Sequence, residues 1–147
     1  MTHSGCDIER LIPQRDPFIM VDTFEECDDH SGAATLAVRQ GNYFMLPDHT
    51  LAETGLIEHI AQSCSALAGS LALADTSRQE QGLADKPPVG IIGAVKHFTC
   101  HRRPQRGETV RTTVTFDMTF GNVTIATGQS FVGEELIAEA NLKIFIQ

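Results

Sequence analysis

The sequence is poor in several residue types, and each shortage excludes a class of function. It has no tryptophan, one tyrosine, and only 11 lysines and arginines against 19 aspartates and glutamates, a net charge of −8. Because binding to nucleic-acid phosphates needs a surplus of basic side chains, we expect no nucleic-acid partner. The four cysteines never occur at the Cys-x-x-Cys spacing of a zinc or redox site, so we expect reduced thiols.

Long apolar runs are also missing. No uncharged stretch exceeds 16 residues, and the one at residues 59–74, which contains serine, glutamine and glycine, is too short and too polar to cross a bilayer. Residues 1–10 lack the apolar core of a secretory signal. We therefore expect a cytoplasmic protein without a membrane span. With 147 residues, 41% of them hydrophobic, the chain is expected to form one domain over residues 1–147.

Hydrophobic periodicity predicts one long helix over residues 54–74. The apolar residues of one helical face recur at the expected spacing, and they are Leu56, Ile60, Cys64, Leu67 and Leu71. Thr54 is a suitable N-cap. A short helix is predicted over residues 6–12, where Pro13 ends it.

The rest of the chain predicts strands and turns. Strands are expected at 18–24, 33–38, 89–99, 109–116, 123–132 and 136–146. Polar, glycine-rich or proline-rich segments at 28–32, 41–53 and 75–88 predict turns and loops, and Gly121-Asn122 predicts a tight hairpin. One long helix among segregated strands indicates an α+β fold, with an antiparallel curved sheet wrapped around the helix.

Three motifs in register resemble a known family. Residues 11–22 are similar to a family opening that reads Leu-Leu-Pro-His-Arg, an aromatic residue, then Pro-Phe-Leu-Leu-Val-Asp. Residues 56–62 resemble its helix motif, in which Glu is followed by two residues and Ala-Gln, and Gly93, Arg102 and residues 107–108 resemble a later strand and turn. The chain thus resembles the (3R)-hydroxyacyl-[acyl carrier protein] dehydratases, which implies a hotdog fold and a role in fatty-acid or related acyl or polyene biosynthesis.

The resemblance assigns Glu58 to the acid of the central helix. Dehydrating a 3-hydroxyacyl thioester, a lyase reaction, needs a base for the α-proton, an acid for the hydroxyl, and donors near the thioester oxygen. From spacing alone, Glu58, Gln62 and Ser65 form a polar stripe on an otherwise apolar helix. The resemblance implies that Glu58 and Gln62 are catalytic, and that Gly55 and Gly93 contact substrate in a tunnel.

The histidine of the family's Gly-His-Phe-Pro-Gly loop corresponds to Phe44. His49 and Tyr43 in the same loop are candidate replacements, and Tyr43 and Phe44 are expected to contact substrate. His59 adjoins Glu58 and is a further candidate replacement, but its side chain points about 100° away around the helix, so we expect it to be a core or interface residue. Three functions stay open: a dehydratase with an altered site, a non-catalytic acyl-binding subunit partnering a complete dehydratase, and a hotdog thioesterase.

Four of the 11 basic residues cluster between residues 96 and 106. They are Lys96, Arg102, Arg103 and Arg106. Since acyl carrier proteins are acidic, this segment predicts a docking surface for one of them, the other reading being a solvated hairpin end. A coenzyme A thioester is the alternative acyl donor.

The sequence also bears on oligomeric partners and on metal ions. Exposed sheet edges favour a homodimer or a heterodimer with a homologous hotdog subunit. His30, His97 and His101 form no evident ligand set with nearby carboxylates, so we expect no metal and no cofactor.

Overall fold

The computed structural model describes residues 2–75 and 90–146. Within these residues, three strands and a 3₁₀ helix come before the long helix, and four long strands come after it. Their bounds are β1 Thr2–Ser4, the 3₁₀ helix Gly5–Arg10, β2 Thr23–Asp28, β3 Ser31–Ala37, α1 Glu53–Leu73, β4 Gly90–Cys100, β5 Thr109–Phe120, β6 Val123–Val132 and β7 Glu135–Ile146.

All seven strands join one antiparallel sheet in the order β1-β2-β3-β5-β6-β7-β4. Helix α1 contacts every strand from β2 to β7, so the sheet curves around it. The predicted α+β class, with an antiparallel sheet around one long helix, is confirmed. The hairpin between β5 and β6 turns at Gly121, whose φ of 60° suits glycine.

Helix α1 lies in the core along most of its length. Its buried face includes Leu56, Ile60, Cys64 and Leu67, and burial raises the pKa of the Cys64 thiol to about 12. Near its end, a methyl group on Gly69 would collide with the backbone of Leu11, so only glycine allows this close crossing.

The start of α1 corrects the sequence analysis. The N-cap is Ala52, not Thr54, and no side chain caps the helix. Instead, the Ala52 carbonyl accepts hydrogen bonds from the N–H groups of Gly55 and Leu56, and the Ala52 N–H donates to the Phe44 carbonyl at 3.0 Å. Loop backbone therefore fixes the helix start.

The strand predicted over residues 18–24 is wrong in position. Strand β2 begins at Thr23 and continues to Asp28, into the predicted turn. In the apolar segment before it, Met20 and Val21 are buried, and side chains of α1 bond the backbone: His59 and Gln62 contact Met20, and Gln62 contacts Phe18. Side chains thus replace the neighbouring strand that such a segment would otherwise need.

The structure also bears on the predicted N-terminal elements, the cysteines and the membrane span. Strand β1 was not predicted, and the helix predicted over 6–12 is the 3₁₀ helix. The loop predicted over 75–88 lies outside the described residues, except for its first residue. Cys27, Cys64 and Cys100 are free thiols, as expected, whereas the Cys6 side chain lies outside the description. No helix within residues 2–75 and 90–146 is long and apolar enough to cross a membrane.

Candidate functional site

Glu58 lies in the second turn of α1, half-buried, at the wall of a cleft of about 250 Å³. The cleft runs between α1, the segment before β2, and the edge of the sheet formed by β4 and β7. Its other lining residues are Gln14, Ala61, Ser65, Gly90, Ile91, Ile92 and Ile144. Most of these are apolar, so Glu58 adjoins a space whose walls suit an apolar ligand.

Gln62 holds the Glu58 carboxylate in position. Its Nε2 donates to Glu58 Oε1 at 2.8 Å and to the Phe18 carbonyl at 2.8 Å, and its Oε1 accepts the Met20 N–H at 2.6 Å. Gln62 is buried, and both amide protons are used within the chain. These contacts make Gln62 a positioning residue for Glu58, whereas its catalytic role stays a prediction.

His59 faces the core, as expected, instead of the cleft. Its Nδ1 donates to the Met20 carbonyl at 2.6 Å. Burial lowers the pKa of His59 to about 4, against the smaller opposing effects of the Met20 hydrogen bond and the Asp22 charge. The ring is therefore neutral at pH 7 and joins the segment before β2 to the helix.

Phe44 packs on the start of α1. A Cβ on Gly55 would lie 2.7 Å from the Phe44 Cβ, so this glycine permits the close approach of the loop. The Tyr43 ring meets the rings of Phe44 and Phe18 edge to face, with centroids 5.3 Å and 5.2 Å away. The Phe44 side chain has no ionisable proton and cannot act as an acid or a base. Its ring adds to an aromatic cluster beside the start of α1.

His49 lies in the same loop but belongs to a different surface. Its Nδ1 bonds to Gln40 Oε1 at 2.9 Å, and its side chain lines a shallow cleft with Asp48, Gln105 and Arg106. Among the described residues of this chain, no hydrogen bond and no shared cleft joins His49 to Glu58. The proposed catalytic part of His49 stays a prediction that requires a second subunit or a different loop conformation.

Gly93 lies in the edge strand β4, at a bulge between Ile92 and Ala94. A methyl group there would collide with the Phe145 ring. Close packing on β7 therefore explains why glycine occupies this position, and contact between Gly93 and a substrate stays a prediction. Beside it, the apolar side chains of Ile91 and Val95 are exposed.

The basic segment divides into paired and unpaired charges. Arg102 bonds Glu108 at 2.8 Å and Glu135 at 3.0 Å, which raises the pKa of Arg102 and lowers that of Glu108. Arg103 pairs with Asp48 at 3.1 Å. Within the described chain, Lys96 and Arg106 form no ion pair, so no acidic partner there offsets their positive charges.

One group of possible metal ligands occurs in the described residues. Ligand atoms of Asp28, Asp29 and His30 lie within 4.8 Å of one another at the turn after β2, a set that the sequence analysis did not assemble. All three residues are exposed, and His30 Nδ1 already bonds Asp29 Oδ1 at 2.9 Å. The arrangement is that of a polar turn, and nothing else indicates an ion there.

Gln14 is a polar residue of the cleft that was not among the predicted site residues. It lies in the first motif, at the position where the family typically has histidine, and that departure was the available signal. Nothing in the local pattern relates it to Glu58, because folding alone brings the two segments to one cleft.

Comparisons with known proteins agree with this architecture. The sequence model of the family described as "ApeP-like: ApeP dehydratase" matches residues 6–147. The 3-hydroxyacyl-[acyl-carrier-protein] dehydratase FabZ of Natranaerobius thermophilus is 30% identical over 141 residues, which cover 92% of each chain.

Solved structures share the fold at low sequence identity. The dehydratase heterocomplex ApeI:P of Xenorhabdus doucetiae matches with a TM-score of 0.80 at 15% identity, over 95% of this chain and 90% of that one. A hypothetical thioesterase from Streptococcus pneumoniae, solved with coenzyme A, matches with a TM-score of 0.64 at 10% identity, over 84% of each chain.

Proposed function

We propose, since this chain belongs to the ApeP-like dehydratase family, that it binds 3-hydroxyacyl thioesters beside Glu58 and takes part in their dehydration. One observation carries the proposal: Gln62 fixes the Glu58 carboxylate at the wall of an apolar cleft. A fixed carboxylate next to an acyl chain is suited to proton transfer, which typically contributes about 10²–10⁴-fold to a rate.

The reaction itself needs two proton transfers. The α-proton leaves, a C2–C3 double bond forms, and the 3-hydroxyl departs with a proton as water. Glu58 is the one titratable side chain among the described residues of the cleft. It serves as one of the two proton-transfer groups, and the second group is proposed to come from loop 41–50 of a partner subunit.

A partner on the edge of β4 would complete the cleft. Strand β4 ends the sheet, so its outer backbone groups have no strand partner in the described chain, and Ile91 is 51% exposed. Because β4 also lines the cleft, a second hotdog subunit docked there would extend its wall. The heterocomplex named above, in which a dehydratase assembles from different subunits, supports a partner that differs from this chain.

The acyl group is proposed to arrive on acyl carrier protein, with a coenzyme A thioester as the alternative. Lys96 and Arg106 supply positive charge that is not paired with a described acid and would attract an acidic carrier. The cytoplasmic location and the role in fatty-acid or polyene biosynthesis are further parts of this proposal.

Phe44 favours a second candidate, a subunit that binds the acyl chain but leaves catalysis to its partner. Phe44 packs on Gly55 at the helix start, where it cannot transfer a proton. In this case Glu58 would help to hold the acyl thioester, and dehydration would require the complete homologue.

The deciding experiment uses crotonyl- and 3-hydroxybutyryl-carrier protein, with mass spectrometry to detect gain or loss of water and cleavage of the thioester. Glu58→Gln is compared with Glu134→Gln, a matched change at an exposed turn. Gain or loss of water by the acyl group that is abolished in Glu58→Gln but not in Glu134→Gln supports the dehydratase. If the protein binds the acyl carrier protein thioester without reaction, and a complete homologous subunit restores dehydration, the second candidate is supported. Thioester cleavage that needs Glu58 would contradict both candidates and indicate a thioesterase.

A further inference from the structure

The backbone of Met20 is held on both sides by helix α1. Its N–H donates to Gln62 Oε1 at 2.6 Å, and its carbonyl accepts a hydrogen bond from His59 Nδ1 at 2.6 Å. Residues 59 and 62 are three apart on the helix, so their side chains are neighbours and can reach one residue together. Met20, His59 and Gln62 are all buried, so water does not compete for these bonds.

The segment 18–22 depends on these two side chains for its position. Backbone hydrogen bonds hold its first and last residues, whose N–H groups donate to the carbonyls of Arg15 at 2.9 Å and Thr35 at 2.7 Å. Between these ends, the hydrogen bonds that the described chain makes to the backbone of the segment come from His59 and Gln62. The two side chains therefore determine where the middle of the segment lies.

The same segment determines how the Gln62 amide is turned. Its Oε1 accepts and its Nε2 donates, so the Met20 N–H and the Phe18 carbonyl select one of the two orientations of the amide. That orientation directs Nε2 at Glu58 Oε1, 2.8 Å away. The reverse orientation would place an oxygen against the carboxylate and repel it. The position of the Glu58 carboxylate thus depends on where Met20 lies.

Packing alone does not require histidine at position 59. The second ring nitrogen, Nε2, is buried, and no partner within residues 2–75 or 90–146 bonds it. A buried nitrogen without a partner costs free energy, which a leucine of similar volume would avoid. The hydrogen bond to Met20 is therefore the contribution that distinguishes this side chain from an apolar one.

We propose that His59 is a positioning residue for proton transfer at Glu58, acting through Met20 and Gln62. The proposal rests on the proposed function, in which Glu58 exchanges a proton with a 3-hydroxyacyl thioester. His59 is fully buried and does not line the cleft, so its effect on the reaction is indirect. Without its bond to Met20, the segment and the Gln62 amide are free to move, and a displacement of about 1 Å can lower a rate about 10²-fold.

The test compares His59→Leu, which removes the donor, with His59→Asn, whose amide nitrogen takes the place of Nδ1. Turnover of 3-hydroxybutyryl-carrier protein is followed by mass spectrometry. His59→Leu should lower kcat about 10–100-fold and leave KM within about threefold, whereas His59→Asn should recover most of the rate. His101→Leu, at an exposed ring, is the matched control and should keep the rate of the unchanged protein.

A second readout does not depend on activity. Proton–nitrogen NMR follows the side-chain amide of Gln62, whose signals should differ clearly from those of exposed glutamines in the unchanged protein and in His59→Asn. In His59→Leu they should move towards the exposed values. In a Gln62→Leu background, His59→Leu should change kcat by less than about twofold, because both changes break the same series of contacts.

An unchanged rate or unchanged Gln62 amide signals in His59→Leu would overturn the assignment. The same holds if His59→Asn is no faster than His59→Leu, or if the effects of His59→Leu and Gln62→Leu add in full. If the unchanged protein gives no turnover, alone or with a complete homologous subunit, the proposed function fails and the assignment fails with it. His59→Phe repeats the comparison should His59→Leu unfold, as judged by circular dichroism.

Discussion

Acidification should destabilise the fold through His59. The ring is buried, and its pKa in the folded protein is about 4 against an ordinary value of 6.5. A base whose folded pKa is depressed contributes stability above its unfolded pKa, and it loses that stability as the pH falls from about 6.5 towards 4. At about 1.4 kcal/mol per pKa unit the full effect is about 3 kcal/mol, of which about 2 kcal/mol is lost between pH 7 and pH 5.

The assay is urea unfolding at pH 7 and pH 5 for the unchanged protein and for His59→Gln. Glutamine retains an N–H group that can donate to the Met20 carbonyl but does not titrate. Other titrating groups contribute equally to both proteins, so the unchanged protein should lose about 2 kcal/mol more than the variant on acidification. His101→Gln, at an exposed ring, serves as the control and should follow the unchanged protein.

Equal losses of stability for the unchanged protein and His59→Gln would refute this reasoning. That result would mean that the His59 ring accepts a proton in the folded state almost as easily as in the unfolded chain. The hydrogen bond between His59 and the Met20 carbonyl would then be accessible to solvent instead of buried.

Three further changes test other parts of the structure. Gly69→Ala should destabilise the protein by about 1–3 kcal/mol in thermal unfolding, because its methyl group meets the Leu11 backbone, whereas Gly41→Ala, in open space, should be nearly neutral. Arg102→Met should cost about 1 kcal/mol or less in urea unfolding, since its ion pairs are partly exposed. Val95→Lys on the β4 edge should shift light-scattering mass towards the 16.0 kDa monomer, and an unchanged mass would argue against that edge as the interface.

The fold was largely predictable, because its strongest signals are local. The 3.6-residue period of Leu56 and Ile60 gave the long helix, and Gly121 gave the β5–β6 hairpin. The hotdog fold expected from the resemblance is confirmed by the comparisons. The strand expected at 18–24 was misplaced because an apolar segment bonded to helix side chains has the composition of a strand.

The site was only partly predictable. The spacing of Glu58 and Gln62 puts both on one helical face, and the structure joins them by a hydrogen bond. By contrast, the positions of Gln14 and His49 depend on which segments meet after folding. No periodicity in the sequence encodes that Gln14 lines the cleft or that His49 bonds Gln40 instead.

The order of strands in the sheet determines when each strand can pair during synthesis. Strand β4 is made before β5, yet its partner in the sheet is β7, the last strand of the chain. While Glu135–Ile146 is still being translated, β4 has no strand to pair with, and such non-local pairing is a slow step. Because β4 and Ile144 both line the cleft beside Glu58, the cleft stays incomplete in a nascent or C-terminally truncated chain.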